Sequence, residues 1–216
     1  VPFNDAAKNA MLDALDETAT QITHVGVHTL ADPGTGATAT GTEATGGSPA
    51  YARQAVTWGA AASGLKANTN TIAIDVPSGT YGFLTYWNAS TGNSGTQYRG
   101  YAPINGTTKG FGTVDAAGVT ADAIQSAAHG LVDTDRVMLF NTFGEALPAG
   151  LTEGVIYFVV SAATDTFEVS LTSGGASAPI TGQGELFFQK VIPETFGAQG
   201  QITVAAGALV LDATGI

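Results

Sequence analysis

The chain has 216 residues, of which 44% are hydrophobic and 12% charged, with a formal net charge of −11 and no cysteine. Seven basic residues against eighteen acidic ones leave no basic stripe that could track phosphates, which excludes nucleic acid as a partner. The absent cysteine excludes disulfides, thiolate metal sites and cysteine nucleophiles. Charge is well below the roughly 25% usual in soluble domains, and Gly, Ala, Thr and Ser take its place, a composition suited to assembly against other chains.

In chain order, Val1-Pro2-Phe3-Asn4-Asp5 lacks the basic and apolar regions of a secretion signal, and no long apolar run follows; the expectation is a soluble, unanchored protein without membrane insertion. Ala7, Met11, Ala14 and Leu15 recur at helical spacing over residues 6–17, with Asn4 or Asp5 as the cap. That stripe must dock on the body or on a neighbouring subunit, so Met11 and Leu15 are candidate interface residues.

Short segments rich in β-branched and aromatic residues then alternate with Gly, Pro, Asn and Ser clusters, the spacing of an antiparallel sandwich. They run over residues 22–29, 50–58, 71–76 and 81–88, and Ile72, Ile74 and Val76 alternate toward one face. Residues 31–49 read as a long loop with strong turn signals at Asp32-Pro33-Gly34 and Gly46-Gly47-Ser48-Pro49. Loops of that length tend to be functional or ordered against a partner.

From residue 111 to 190 the texture changes, and a new strand set covers 136–140, 155–160, 166–171 and 185–189. This stretch carries a net charge of −7 and the remainder −4. The earlier style returns in the final segment, 191–216. The expected fold is all-β: a jelly-roll-like antiparallel β-sandwich body from residues 1–110 and 191–216, with one N-terminal helix, and an inserted small β domain over 111–190. Such an insertion adds little closure entropy when its ends are close.

No motif carries catalysis. The Gly-x-Ser-x-Gly elbow is absent, and Gly92-Asn93-Ser94-Gly95 is a turn. His24 and His28 stand about 13 Å apart on an extended strand, too far to grip one ion. Asp133-Thr134-Asp135 lacks the ligand register of a calcium loop. No cofactor, metal or catalytic residue is expected, and of the body acids near aromatic strands, Glu43, Asp75 and Glu194, nothing marks a glycosidase pair. Six aromatics lie within residues 81–101; both faces of the 81–88 strand are aromatic, so Tyr86, Trp87, Tyr98 and Tyr101 are candidate surface rings for stacking on a sugar.

One ordered series carries a family resemblance. It consists of Asn9-Ala10-Met11-Leu12-Asp13-Ala14-Leu15, Val25-Gly26-Val27-His28-Thr29, Thr45-Gly46-Gly47-Ser48-Pro49-Ala50-Tyr51-Ala52-Arg53-Gln54, Phe83-Leu84-Thr85-Tyr86-Trp87-Asn88 and Glu194-Thr195-Phe196-Gly197-Ala198-Gln199-Gly200. It resembles bacteriophage minor tail and tail-fibre virion proteins. The middle stretch, through Ala128-His129-Gly130-Leu131, Tyr157-Phe158-Val159-Val160 and Asp165-Thr166-Phe167-Glu168-Val169, resembles a small β module of phage and bacterial surface proteins.

The resemblance implies a structural virion component, assembled in the host cytoplasm, that acts through homo-oligomeric contacts, as a trimer, and through other virion proteins. It brings no catalytic residues. Capsid decoration and a carbohydrate-binding, host-recognition role are the alternatives.

Overall fold

The computed structural model of the chain describes residues 3–16, 21–34, 36–105, 108–115, 122–142 and 146–213. In chain order the elements are α1 (Asp5–Asp13), β1 (His24–Thr29), β2 (Gln54–Ala55), β3 (Leu65–Ala67), β4 (Ile72–Val76), β5 (Gly79–Trp87), β6 (Tyr98–Pro103), β7 (Lys109–Val114), β8 (Ile124–Gln125), β9 (Arg136–Asn141), β10 (Ile156–Val160), β11 (Thr166–Ser170), β12 (Gly184–Val191), β13 (Glu194–Phe196), β14 (Gly200–Val204) and β15 (Val210–Asp212). The fold is all-β with one α-helix among the described residues, as the strand spacing predicts. The chain divides into two compact units, Val1–Ala102 with Thr195–Ile216, and Pro103–Glu194.

In the first unit, β5 is the central strand. Its residues 81–87 are all buried, because β1 covers one edge in antiparallel register, His24 opposite Trp87 and Val27 opposite Leu84. Both β13 and β6 pair with β5 as well, while β1 covers its residues 81–87. The Asn88 N–H donates to Gln97 O at the β6 end, and Thr80 and Thr195 share a hydroxyl hydrogen bond at the β13 end.

Two ribbons complete this unit. The alternating Ile72, Ile74 and Val76 are buried as their period requires, and β4 pairs with β14 through Ile74 opposite Ile202. In the other ribbon β3 pairs with β15, Lys66 opposite Leu211. The expected strand over 50–58 reduces to β2 and a single bridge, Trp58 to Asn68.

The helix forms where predicted, its first turn capped by Asn4 Oδ1, which accepts the Ala7 N–H at 2.9 Å. Its docking face, however, is rotated from the expected stripe. Leu12 is the buried helix residue, whereas Met11 is 46% exposed and Leu15 half-buried. The reason is polar. Asn9 Oδ1 accepts the Gly64 N–H at 2.8 Å, and Asp13 Oδ1 accepts both the Ala61 N–H at 3.0 Å and the Lys66 ammonium at 2.6 Å. Positions 9, 12 and 13 share one helical face, so these bonds turn Leu12 inward and Met11 outward.

The second unit is a closed six-stranded barrel in the order β10, β11, β8, β7, β12, β9. Its interior is filled by side chains, among them Ile124, Val137, Leu139, Phe167, Leu186 and Phe188, as a barrel this small requires. Room for them comes from β7. A Cβ on Gly110 would stand 2.6 Å from the Phe188 ring, and one on Gly112 would stand 2.6 Å from Ile124.

Candidate functional site

The richest concentration of polar chemistry lies on one face of β1 and β5, where the conspicuous sequence segments converge. Residues 42–44 of the long loop run beside β1: the Thr29 N–H donates to Thr42 O, the Ala44 N–H to Val27 O, and His28 bridges Glu43. The Glu43 carboxylate thereby faces inward. Its two oxygens receive Arg53 Nε at 2.6 Å and Nη2 at 2.7 Å in a bidentate fork, and the Tyr51 hydroxyl at 2.7 Å.

Above this pair, the Arg53 guanidinium lies 3.3 Å from the centroid of the Trp87 ring, a cation–π contact strengthened by burial. The Trp87 indole N–H donates to Thr85 Oγ1 at 2.9 Å, and that hydroxyl meets His28 Nδ1 at 3.2 Å. His28 in turn stacks on Trp87. The missing side chain of Gly26 makes the centre possible. A Cβ there would come to 2.8 Å from the Tyr51 hydroxyl and 3.0 Å from both Glu43 and Thr85, displacing the hydroxyl that accepts the Val27 N–H at 3.0 Å.

Electrostatics follow from the burial. Desolvation pushes the His28 imidazole down to about 4, with the opposing charges of Glu43 and Arg53 acting in contrary senses, so His28 is neutral near pH 7. Burial alone would raise the Glu43 carboxyl, but the hydrogen bonds from Arg53 and Tyr51 and the Arg53 charge outweigh it and hold the group below its ordinary value. Burial, with the Glu43 charge beside it, drives the Tyr51 phenol far upward. Every acid and base here is engaged by a neighbour in the fold. The arrangement clamps the long loop to the sheet; it does not present a poised nucleophile or proton donor.

The expected surface aromatics are corrected by the structure. Tyr86 and Tyr98 are buried and Trp87 has no exposed surface, while Tyr101 is half-buried and set edge-on to Phe83 at 5.5 Å. The cause is the long loop, which covers the Trp87 face. Ala39 packs with Trp87 and Tyr98, Asn93 exchanges hydrogen bonds with the Ala39 backbone, and the Tyr98 hydroxyl donates to Gly34 O at 2.8 Å. Tyr86, on the opposite face, is equally enclosed, and burial raises its phenol.

The remaining polar positions also serve the fold. Ser94 sits in a turn closed by Gln97. Asp133 accepts the Ala162 N–H, and Asp135 accepts the Val132 N–H and pairs with Lys190 at 2.7 Å. His129 Nδ1 accepts the Leu131 N–H. Asp75 accepts from Gln201 and Glu194 from Asn105. Among the described residues no group of three or more His, Asp or Glu is placed to hold a metal ion, and no helix is long and apolar enough to cross a membrane.

Sequence reasoning did not foresee the Glu43–Arg53 pair. The signal was present in Tyr51-Ala52-Arg53, where a lone arginine follows a tyrosine in a chain with only seven basic residues.

No curated protein matches this chain, and no solved structure does. One family model matches residues 2–127, that of the podophage GP4 fiber I protein gp80. The match takes in α1, β1 through β8, the long loop and the whole Glu43–Arg53–Trp87 cluster, and it spans more than half of the sequence. The chain belongs to the family of the podophage GP4 fiber I protein gp80.

Proposed function

We propose that this protein is a fibre-type structural component of a phage virion that acts by assembly and not by catalysis. The observation that carries the reading is the family match over residues 2–127. The cluster within that span supports it: its ion pair, phenol and imidazole are all engaged in fixing the long loop. A tail or tail-tip position is our preferred location on the particle, with capsid decoration as the alternative.

Homo-oligomerisation, as a trimer, is the expected mode of assembly. The low charge of the chain and the outward Met11 on α1 support a subunit contact at the helix. For the domain organisation we propose a sandwich-type body, with β4 lying against β1 and β2, interrupted by the barrel. Because β6 and β13 both pair with β5, the barrel is read as an insertion between Pro103 and Glu194.

Gold-labelled antibody against the full chain, applied to purified particles, tests the location. Label at tail ends or fibres supports the preferred reading, and label distributed over the capsid shell supports decoration. Particles that carry no label, from a preparation in which the protein is otherwise expressed, overturn the virion reading altogether.

A further inference from the structure

Residues 36–45 of the long loop contain no Val, Ile, Leu, Met or aromatic residue, yet they help to cover the aromatic face of β1 and β5. Among them Ala39 and Ala44 are buried, Glu43 is half-buried and the rest are exposed. What seats the segment is therefore polar. The Ala39 N–H donates to Asn93 Oδ1 and Ala39 O accepts from Asn93 Nδ2, while the Thr29 N–H donates to Thr42 O and the Ala44 N–H to Val27 O. Water takes the place of each partner when the segment lifts. Gly34 on one side and Gly46-Gly47 on the other have φ of +76°, +82° and +91°. The chain is tied down at these ends, Gly34 O by the Tyr98 hydroxyl and the Ser48 N–H by Gln199. The segment is thus a lightly held cover between two anchored ends, with glycine at each.

Beneath it lies His28, 2% exposed and stacked on Trp87. The groups that face the imidazole do not provide for a second cation. Arg53, from the stretch that leads into β2, already lies on the same indole. Glu43, from the segment itself, has both oxygens occupied by Arg53 and Tyr51, and the Tyr51 phenol stays neutral. Thr85 Oγ1, from β5, already accepts the Trp87 indole N–H. His24, the other titratable residue of β1, lies four residues along the same face. An imidazolium here needs water, which the seated segment keeps out. Burial opposes protonation most, against the attraction of Glu43 and together with the repulsion of Arg53.

We propose that residues 36–45 form a lid that lifts when His28 takes up a proton, uncovering His28 and the Trp87 ring while the pairing of β1 with β5 stays intact. The sign follows from linkage. The lifted state binds a proton that the seated state refuses, so the lid is fully seated above about pH 6.5 and loosens as the pH falls toward 4. With 6.5 and about 4 as the two values, the equilibrium constant for lifting rises about thirtyfold between pH 8 and pH 5. The device needs neither a partner nor a place on the particle, so it stands or falls apart from the virion reading.

Amide hydrogen exchange on the full chain, followed by NMR from pH 8 to 5 at fixed ionic strength, tests this, with each rate divided by that of an unstructured peptide at the same pH. The Ala39 and Ala44 N–H groups should be less protected than the amides that pair β1 with β5 at every pH. Their protection should fall about thirtyfold by pH 5, and that of the Trp87 indole N–H with them. His28→Asn should remove the pH dependence and keep the lower protection of the lid. Because this variant is less stable as a whole, the wild-type protein alone also decides the matter. Lid amides as protected as the β1–β5 amides, lid protection that is constant from pH 8 to 5, or an indole N–H that exchanges with the strands overturns the proposal. So does an undiminished pH dependence in folded His28→Asn protein.

Discussion

The sharpest consequence of the buried cluster is an acid limb in stability that belongs to one imidazole. His28 is held down from 6.5 to about 4 by burial, so between those values the unfolded chain binds a proton that the folded chain refuses. Stability attributable to His28 is complete above about pH 6.5 and falls as the pH drops toward 4; at 1.36 kcal/mol per pH unit it amounts to about 3 kcal/mol. Glu43, held low, adds a loss of the same sign only below its ordinary 4.5. The assay is urea unfolding followed by tryptophan fluorescence from pH 8 to 4 at fixed ionic strength. Both tryptophans, Trp58 and Trp87, lie in the unit that holds the cluster, so the signal ignores the barrel. The His28→Asn variant, although less stable at neutral pH, should lack the part of the slope between about 6.5 and 4.5. His24, which burial also lowers, is retained in both proteins and cancels in the difference. Parallel stability curves for the two proteins would refute the reasoning.

Three further outcomes are expected. Gly26→Ala should cost about 1–3 kcal/mol by overpacking, because the new methyl meets the Tyr51 hydroxyl, Glu43 and Thr85 at 3.0 Å or less; urea midpoints read it, and a neutral result would mean that the loop gives way freely. Leu12→Ser should lower stability by about 2 kcal/mol, while Met11→Ser should leave melting unaltered and change only the oligomer mass in light scattering if the outward helix face is a subunit contact. Excising residues 104–193 and joining Pro103 to Glu194 should leave a folded body with wild-type tryptophan fluorescence, since β6 and β13 both pair with β5; an unfolded product would show that the barrel is not an insertion.

Local pattern carried much of the fold. The alternation of Ile72, Ile74 and Val76 and the Asn4 cap were legible because each acts within a few residues of itself. Which helix residue meets the body was not legible, because the rotation of the helix is set by Asn9 and Asp13, whose partners lie about 50 residues away at Gly64, Ala61 and Lys66. The aromatics were misread for a related reason. Parity along the 81–88 strand shows two aromatic faces, but whether a face meets water depends on what lies over it, and the cover is a loop whose own sequence has no period. Glu43 illustrates the same limit: nothing beside it in the chain says that Arg53 and Trp87 will enclose it.

The Glu43–Arg53 pair raises the question of why a chain with so few cations buries Arg53 against a carboxylate. A buried pair seldom adds net stability over apolar residues of similar volume, because desolvation offsets most of the attraction, whereas removing one partner alone leaves an uncompensated charge. The two cases separate experimentally. Arg53→Met alone should cost about 3 kcal/mol or more, since Glu43 then keeps only Tyr51. The double change Arg53→Met with Glu43→Leu should recover most of that loss, yet the loop would then be seated by apolar contact alone, without the fork that fixes Glu43 opposite His28. Hydrogen exchange at Ala44, whose N–H donates to Val27 O at 2.9 Å, should therefore quicken relative to the amides that pair β1 with β5 even where global stability is restored. Protection at Ala44 that tracks global stability in every variant would show that the pair contributes nothing to seating the loop, and that packing against Trp87 suffices.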